Sequence, residues 1–214
     1  MLDRDDIVTT RIHSTALIEE DVVIGDGSAI WDNVHIRHGA KIGTDCIVGE
    51  KTYIAYDVVI GDRVKINAMV YICTAVTIED GVMISAGTVF TNDRFPRATT
   101  PNLKELRPSE PDDETLPTLV KEGATIGASC TIGNDLSIGR FAMVGMGSLI
   151  TKPVEDFHLV LGHPARPVGC VCRCGHPLVR FNEMEGSETK VVCAACGLPY
   201  RVVEQQVEEL DPPR

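Results

Sequence analysis

Large aliphatic residues recur along most of this chain with a period of six. Fourteen consecutive positions of the first run carry a large apolar residue, namely Ile12, Ile18, Ile24, Ile30, Ile36, Ile42, Val48, Ile54, Ile60, Ile66, Ile72, Ile78, Ile84 and Phe90. The position four residues further on is small or β-branched, as at Ala16 and Val22. An amphipathic helix needs a period near 3.6 and a half-buried strand a period of about 2, so a sustained period of six fits neither.

The pattern is interrupted once and then resumes. A polar, Pro-rich stretch at about 93–117 breaks it, and the second run is Val120, Ile126, Ile132, Ile138, Val144 and Ile150. The twenty hexads, at three per coil, predict an all-β fold, a parallel β-helix of about seven coils. At a strand spacing of ~4.8 Å the prism would be roughly 32 Å long. The strict phase from residue 12 to 90 disfavours an antiparallel sandwich.

Each hexad position predicts a place in the coil. The aliphatic residue fills a corner of the triangular interior, and the small residue lies on the inner strand face. Gly25 and Gly43, each directly after an aliphatic residue, are expected to permit a tight corner. Cys46 and Cys130 fall at inward positions and are expected to be core residues.

Composition and charge exclude some partners. The net charge is −11 with no block of Lys and Arg, which argues against nucleic acid or an anionic membrane as the main partner. The N-terminal stretch 1–6 lacks the pattern of a signal peptide, and no run of about 18 apolar residues occurs. We therefore expect a cytoplasmic protein, whose eight cysteines are thiols or metal ligands rather than disulfides.

A second module follows the repeats. Cys193-Ala194-Ala195-Cys196 is a C-x-x-C turn followed by Gly, and Cys172 and Cys174 complete a set of four thiolates. Four sulfurs suit a structural tetrahedral Zn²⁺, with Cys170 or His176 as alternative ligands. We predict a repeat domain at 1–169, a small zinc-ribbon-like module at 170–203 and an acidic tail at 204–214.

Four motifs carry a resemblance to a known family. They are Ile30-Trp31-Asp32-Asn33-Val34-His35, Val89-Phe90-Thr91-Asn92-Asp93 with Pro96-Arg97, Gly123-Ala124-Thr125-Ile126-Gly127-Ala128, and Gly162-His163-Pro164-Ala165-Arg166. Together with the hexads, over about residues 12–170, they resemble the hexapeptide-repeat acyltransferases. Within these, the chain is similar to the group that N-acetylates nucleotide-linked 3-amino sugars. The resemblance implies a left-handed β-helix, a homotrimer, and acetyl-CoA bound in the groove between subunits.

The resemblance also implies residues of the acceptor site. Asn92 would orient the acceptor amine through its side-chain carbonyl, and His35 would be a catalytic residue that lines the site as a general base. Trp31, Asp93 and Arg97 would bind the nucleotide sugar, with Arg97 meeting a carboxylate or phosphate. The loop at 93–117 would reach toward this site.

The resemblance also implies that the later coils hold acetyl-CoA. Ala128, Gly145 and Gly147 would lie along pantetheine, and a backbone N–H there would serve the thioester oxygen. Lys152 and Arg166 would bind the phosphates of acetyl-CoA.

Three other functions are alternatives. Sugar O-acetylation would need a stronger base than Asn92, such as a His. A γ-class carbonic-anhydrase-like protein would need three His at one zinc, whereas only His35 and His38 lie close together in the repeats. A non-enzymatic binding module is the third alternative, and the acidic charge disfavours nucleic acid as its ligand.

Overall fold

The computed structural model describes residues 9–184 and 186–213 of the 214-residue chain. The N-terminal stretch on which the signal-peptide prediction rests lies outside these residues. Within the described part the structure contains no α-helix, and none of its helical segments is long and apolar enough to span a membrane.

Twenty short strands, numbered in chain order, correspond to the predicted hexads. Before the long loop these are β1 Arg11–Ile12, β2 Leu17–Ile18, β3 Val23–Ile24, β4 Ala29–Ile30, β5 His35–Ile36, β6 Lys41–Ile42, β7 Ile47–Val48, β8 Tyr53–Ile54, β9 Val59–Ile60, β10 Lys65–Ile66, β11 Tyr71–Ile72, β12 Val76–Ile78, β13 Met83–Ile84 and β14 Val89–Phe90. After it come β15 Thr118–Val120, β16 Thr125–Ile126, β17 Thr131–Ile132, β18 Leu136–Ile138, β19 Met143–Val144 and β20 Leu149–Ile150. The predicted all-β repeat fold is confirmed.

The strands stack in parallel on three faces of a solenoid. Face A contains every third strand from β1 to β19, face B every third strand from β2 to β20, and face C every third strand from β3 to β18. The next strand, β21 (His158–Gly162), continues face A in parallel with β19. Face A thus holds eight parallel strands, and the solenoid has about eight turns where the hexad count predicts seven. We call the corner from face A to face B the AB edge, and the next corner the BC edge.

The interior is built from the repeated aliphatic positions. Each of them from Ile30 to Ile150 is buried, and Cys46 and Cys130 are buried among them as predicted. Hydroxyl side chains at the small position are buried too, at Ser28 and Thr52. Each donates a hydrogen bond to a backbone carbonyl of the next coil, so neither hydroxyl is buried without a partner.

Glycine is required after the aliphatic residue for a different reason from the predicted one. The left-handed backbone falls three residues after the aliphatic residue, at positions such as Asn33 and Asp45, both with φ 54. Gly25, directly after Ile24, is not left-handed; a Cβ there would lie 2.6 Å from the carbonyl carbon of Gly43. Glycine is therefore required because the next coil approaches too closely for a side chain.

The C-terminal module continues the solenoid. Strand β22 (Ala165–Val171) runs across the predicted boundary at residue 169 and pairs antiparallel with β21 and with β23 (Pro177–Arg180). A 3-10 turn at Phe181–Glu183 follows. A separate antiparallel sheet then contains β24 (Glu188–Val192), β25 (Pro199–Val203) and β26 (Gln206–Glu209), and β26 lies within the stretch predicted as an acidic tail.

Two aromatic residues of the last coils form the base of this module. Phe141 (φ 54) and Phe157 (φ 62) stand at left-handed corner positions, where a bulky residue is unusual. Their rings stack at 5.5 Å, and Phe157 packs on Tyr200 of β25 in a small core with Cys172 and Cys193. The solenoid thus supplies part of the hydrophobic core of the C-terminal module.

The stacked core predicts a contrast between neighbouring positions of one strand. Ile66→Ala should destabilise the protein by about 2–5 kcal/mol, because it removes a buried side chain and leaves a cavity. Lys65→Ala, at the exposed position beside it, should change stability by less than about 0.5 kcal/mol. Urea unfolding at one protein concentration measures both. Equal effects at the two positions would contradict the assignment of the inner face.

Candidate active site

A cavity of about 480 Å³ opens at the BC edge, between face B and the 93–117 loop. On the strand side it is lined by Tyr53, Tyr56 and Tyr71. On the loop side it is lined by Asn92, Asp93, Arg97 and the returning part of the loop. Three of the residues predicted for the acceptor site, Asn92, Asp93 and Arg97, therefore meet in one cavity.

Backbone contacts fix the position of the loop. The N–H of Leu116 donates to the carbonyl of Asn92 at 3.1 Å, and Asp93 forms an antiparallel bridge with Thr115. The loop therefore leaves and rejoins the solenoid at one point. This holds Asn92 half-buried at the base of the cavity, while Asp93 and Arg97 are exposed on its wall.

Neither His35 nor Trp31 lines this cavity, although the ring of His35 packs edge-on against that of Tyr53, with 5.4 Å between the centroids. His35 lies on β5, three strands from β14 on face B, which at ~4.8 Å per strand is about 14 Å from the coil of Asn92. Trp31 lies at the AB edge, where the guanidinium of Arg11 sits 4.5 Å from its ring centroid. Within this chain the two residues predicted as catalytic, Asn92 and His35, therefore belong to coils about 14 Å apart.

His35 belongs to a polar cluster that the sequence analysis missed. Its Nε2–H donates to Oε1 of Glu19 at 2.8 Å, and Nε of Arg37 lies 2.6 Å from the same oxygen. The hydrogen bond from His35, together with the positive charge of Arg37 and the backbone N–H of His38, lowers the pKa of Glu19 to about 2. The sequence spacing of Glu19 and Arg37 could have revealed this cluster, because the two residues are one coil apart and therefore stack.

The predicted cofactor residues separate into two groups. Ala128, Gly145 and Gly147 lie together at the AB edge, where the N–H of Gly147 donates to the carbonyl of Ala128 at 2.8 Å. The N–H of Gly145 donates to Val160 at 2.9 Å, so both glycine N–H groups are already engaged by backbone.

Lys152 and Arg166 form the second group. They line one cavity of about 240 Å³, which the last coil shares with the start of β22. Lys152 follows β20 at the BC edge, two strands along face B from the coil of Asn92 and about 10 Å from it.

The four predicted metal ligands are brought together. The sulfurs of Cys172, Cys174, Cys193 and Cys196 all lie within 4.8 Å of one another. Cys172 and Cys196 are 3.4 Å apart, close to the ~3.8 Å separation of two thiolates on one tetrahedral zinc with Zn–S bonds of about 2.3 Å.

The alternative ligands differ in position. Cys170 is buried outside the cluster, and burial raises the pKa of its thiol to about 11. His176 Nδ1 lies 3.5 Å from the sulfur of Cys174, at the edge of the cluster. Tyr200 adds a hydroxyl 3.1 Å from the sulfur of Cys172.

Comparisons with known proteins agree with the repeat. Residues 21–55 and 57–92 match the family model described as bacterial transferase hexapeptide (six repeats). Over 93 residues, 44% of this chain and 45% of the relative, the chain is 38% identical to dTDP-3-amino-3,6-dideoxy-alpha-D-galactopyranose 3-N-acetyltransferase of Aneurinibacillus thermoaerophilus. Over 50 residues, 23% of this chain and 18% of the relative, it is 40% identical to serine acetyltransferase of Escherichia coli (strain K12). The chain spans less than half the length of these curated relatives.

A solved structure shares the fold. It is a mutant of AntD, an N-acyltransferase from Bacillus cereus, in complex with dTDP and coenzyme A. The TM-score is 0.52 at 22% sequence identity, over 77% of this chain and 82% of that one. At this identity the likeness shows a common fold.

The Glu19 cluster predicts an acid-dependent stability difference. The pKa of Glu19 is lowered in the folded protein, so its contribution is present above its ordinary value of 4.5 and is lost as the pH falls toward about 2. Glu19→Gln should therefore be less stable than the wild type at pH 7, and the gap should close between about pH 4.5 and 2. Urea unfolding across this range measures it, with Glu20→Gln as the control. A gap that stays constant down to pH 2 would contradict the cluster.

Proposed function

We propose that this chain, which carries the hexapeptide repeats of the bacterial transferase family, transfers an acyl group from acyl-CoA to the amine of a nucleotide-linked amino sugar. The observation that carries the proposal is the cavity at the BC edge, which gathers Asn92, Asp93 and Arg97. The 38% identity to a nucleotide-sugar N-acetyltransferase supports the choice of substrate class.

The BC edge gives the two substrates an order along the solenoid. Lys152 and Arg166 would bind the phosphates of acyl-CoA at the C-terminal coils, where their side chains share one cavity. Asn92 comes next along the edge, and the tyrosine-lined part of the cavity lies beyond it. The thioester would therefore lie beside Asn92, with the acceptor on its far side.

Asn92 would act by orienting the nucleophile. Its side-chain carbonyl accepts a hydrogen bond from the neutral acceptor amine and aims the nitrogen lone pair at the thioester carbon. The nitrogen–carbon bond forms, the carbon–sulfur bond breaks, and the departing thiolate takes a proton from the amine. The products are an amide and free CoA thiol, so the step needs no separate general base.

A homotrimer of left-handed solenoids completes the proposal. The predicted pantetheine residues Ala128, Gly145 and Gly147 lie at the AB edge, whereas Asn92 and Lys152 lie at the BC edge. A groove between two copies would bring an AB edge of one toward a BC edge of the next. One acyl-CoA could then contact both groups of residues.

The cysteine cluster is proposed to hold a structural Zn²⁺. Its four sulfurs match the donor set and spacing of a closed tetrahedral site, which leaves no position for a reacting water. Bound zinc would fasten β22 to the β24–β26 sheet. It would thereby stabilise a module too small for a large core of its own.

The alternative functions find less support. Sugar O-acetylation would need a base at the acceptor, and His35 lies about 14 Å from the coil of Asn92. Among the described residues, the one group of side chains arranged to hold a metal is the cysteine cluster. A carbonic-anhydrase-like centre needs three His at one zinc, whereas only His35 and His38 lie close together in the repeats.

Replacement of Asn92 tests the mechanism. Asn92→Ala should lower kcat for acetyl transfer about a hundredfold, because the amine loses its orienting acceptor. The rate of CoA thiol release from acetyl-CoA with an amino sugar nucleotide measures it. Asn102→Ala is the control, since Asn102 lies in the same loop but does not line the cavity. An unchanged kcat in Asn92→Ala would contradict the assigned role.

The metal proposal has its own test. The wild-type protein and Cys170→Ser should each contain one Zn²⁺ per chain, because Cys170 lies outside the cluster. Cys193→Ser should lose most of the zinc and melt at a lower temperature. Elemental analysis and thermal unfolding measure the two effects. Loss of zinc in Cys170→Ser, or full zinc in Cys193→Ser, would overturn this ligand set.

A further inference from the structure

Arg37 holds two tyrosine hydroxyls that line the acceptor cavity. One of its terminal nitrogens donates to the hydroxyl of Tyr53 at 2.8 Å, and the other donates to the hydroxyl of Tyr56. Glu19 holds Arg37 in turn, through the ion pair at 2.6 Å. Arg37 does not itself line the cavity, so it lies behind the tyrosines.

This arrangement fixes the role of the hydroxyl groups. A guanidinium has donors only, so both phenolic oxygens must accept from Arg37. The hydrogen of each hydroxyl is then left for an acceptor elsewhere, and both residues face the cavity. A positive charge behind the oxygens also makes each hydroxyl a stronger donor.

The loop side of the cavity is mainly acidic, in contrast to the hydroxyl donors on the strand side. The loop contributes four carboxylates, from Asp93, Glu110, Asp112 and Glu114, against two arginines, Arg97 and Arg107, and a guanidinium nitrogen of Arg107 lies 4.0 Å from Asp112. Because the carboxylates outnumber the arginines, this wall disfavours an anionic group of a ligand, whereas an amine can donate hydrogen bonds to the carboxylates. The cavity is therefore suited to a ligand with an amine at one end and an anionic group at the other.

We propose that Tyr53 and Tyr56 donate hydrogen bonds to the diphosphate oxygens of the nucleotide-linked acceptor, and that Arg37 is a positioning residue that aims both hydroxyls. This rests on the proposed function, because it assumes a nucleotide-linked acceptor. The amine of that acceptor then lies toward Asn92 and the acidic wall. Glu19 serves the site indirectly, since it holds the guanidinium in place.

Isothermal titration of the full chain separates this role from a structural one. UDP and dTDP are the diphosphate probes, and uridine and thymidine are the matching probes without phosphate. Tyr53→Phe and Tyr56→Phe should each weaken binding of the preferred diphosphate about tenfold, the usual loss of one hydrogen bond to a charged group. Affinity for the nucleoside should not change. Acetyl-CoA binding should also remain.

Two arginine variants test the positioning role. Arg37→Gln should weaken diphosphate binding at least as much as either tyrosine variant. Arg37→Lys should not restore it, because an ammonium cannot present the planar fork that reaches two hydroxyls at once. Arg63→Gln is the matched control, since Arg63 also pairs with a carboxylate, Asp80, but does not line this cavity.

The outcomes are distinct. Equal losses for diphosphate and nucleoside would show a structural role for the tyrosines and overturn the inference, as would full rescue by Arg37→Lys. A wild-type protein that binds acetyl-CoA but neither diphosphate would also overturn it, while leaving acyl transfer intact. Failure to bind acetyl-CoA as well would instead overturn the proposed function.

Discussion

The parallel backbone hydrogen bonds between successive coils determine the position of every side chain on the solenoid. Before the long loop they pair each residue with the one 18 positions further on, as Leu17 with His35 and Arg11 with Ala29, and across the loop the separation is 42, as for Val89 with Thr131. Outward side chains at this spacing form columns along the faces and edges of the solenoid. His38, Tyr56, Thr74 and Asn92 occupy one such column at the BC edge. A polar group in one coil can therefore hold a group in the next, as Glu19 holds Arg37.

The same constraint explains how a rigid prism carries a varied site. Short strands and buried aliphatic residues leave little freedom inside the coils, so chemical variety is confined to outward columns and to the inserted loop. The loop enters at Asn92 and returns beside it, which turns a column on an edge into a cavity. At the other end, Phe141 and Phe157 replace the usual corner residues and connect the last coils to the cysteine module.

Much of the fold could be predicted because the repeat is encoded by single positions. The period of six locates all twenty strands, and the break in the period locates the loop. The placement of Asn92, Asp93 and Arg97 in one cavity also follows, because these residues are adjacent in sequence. The four cysteines could be grouped because two of them form a compact C-x-x-C turn. The boundary predicted at residue 169 is less accurate, because β22 crosses it and joins the module to face A.

The features that the sequence analysis missed depend on contacts between coils, and a short sequence motif gives no information about such contacts. His35 and Asn92 belong to different motifs, and only the strand order shows that β5 and β14 are three positions apart on face B. Glu19 and Arg37 are charged residues at outward positions, so in sequence they look like solvated surface. The close approach at Gly25 likewise depends on the coil above it.

The most direct test of the central claim compares acceptors that differ by one atom. Acetyl-CoA would be mixed with a nucleotide-linked amino sugar or with the matching sugar that carries a hydroxyl at the same carbon. Thiol release would be followed with time, and the product identified by mass spectrometry. The account predicts rapid release and an amide product with the amine acceptor, and release near the background rate of hydrolysis with the hydroxyl acceptor. Transfer to the hydroxyl alone, or no transfer to either, would contradict it.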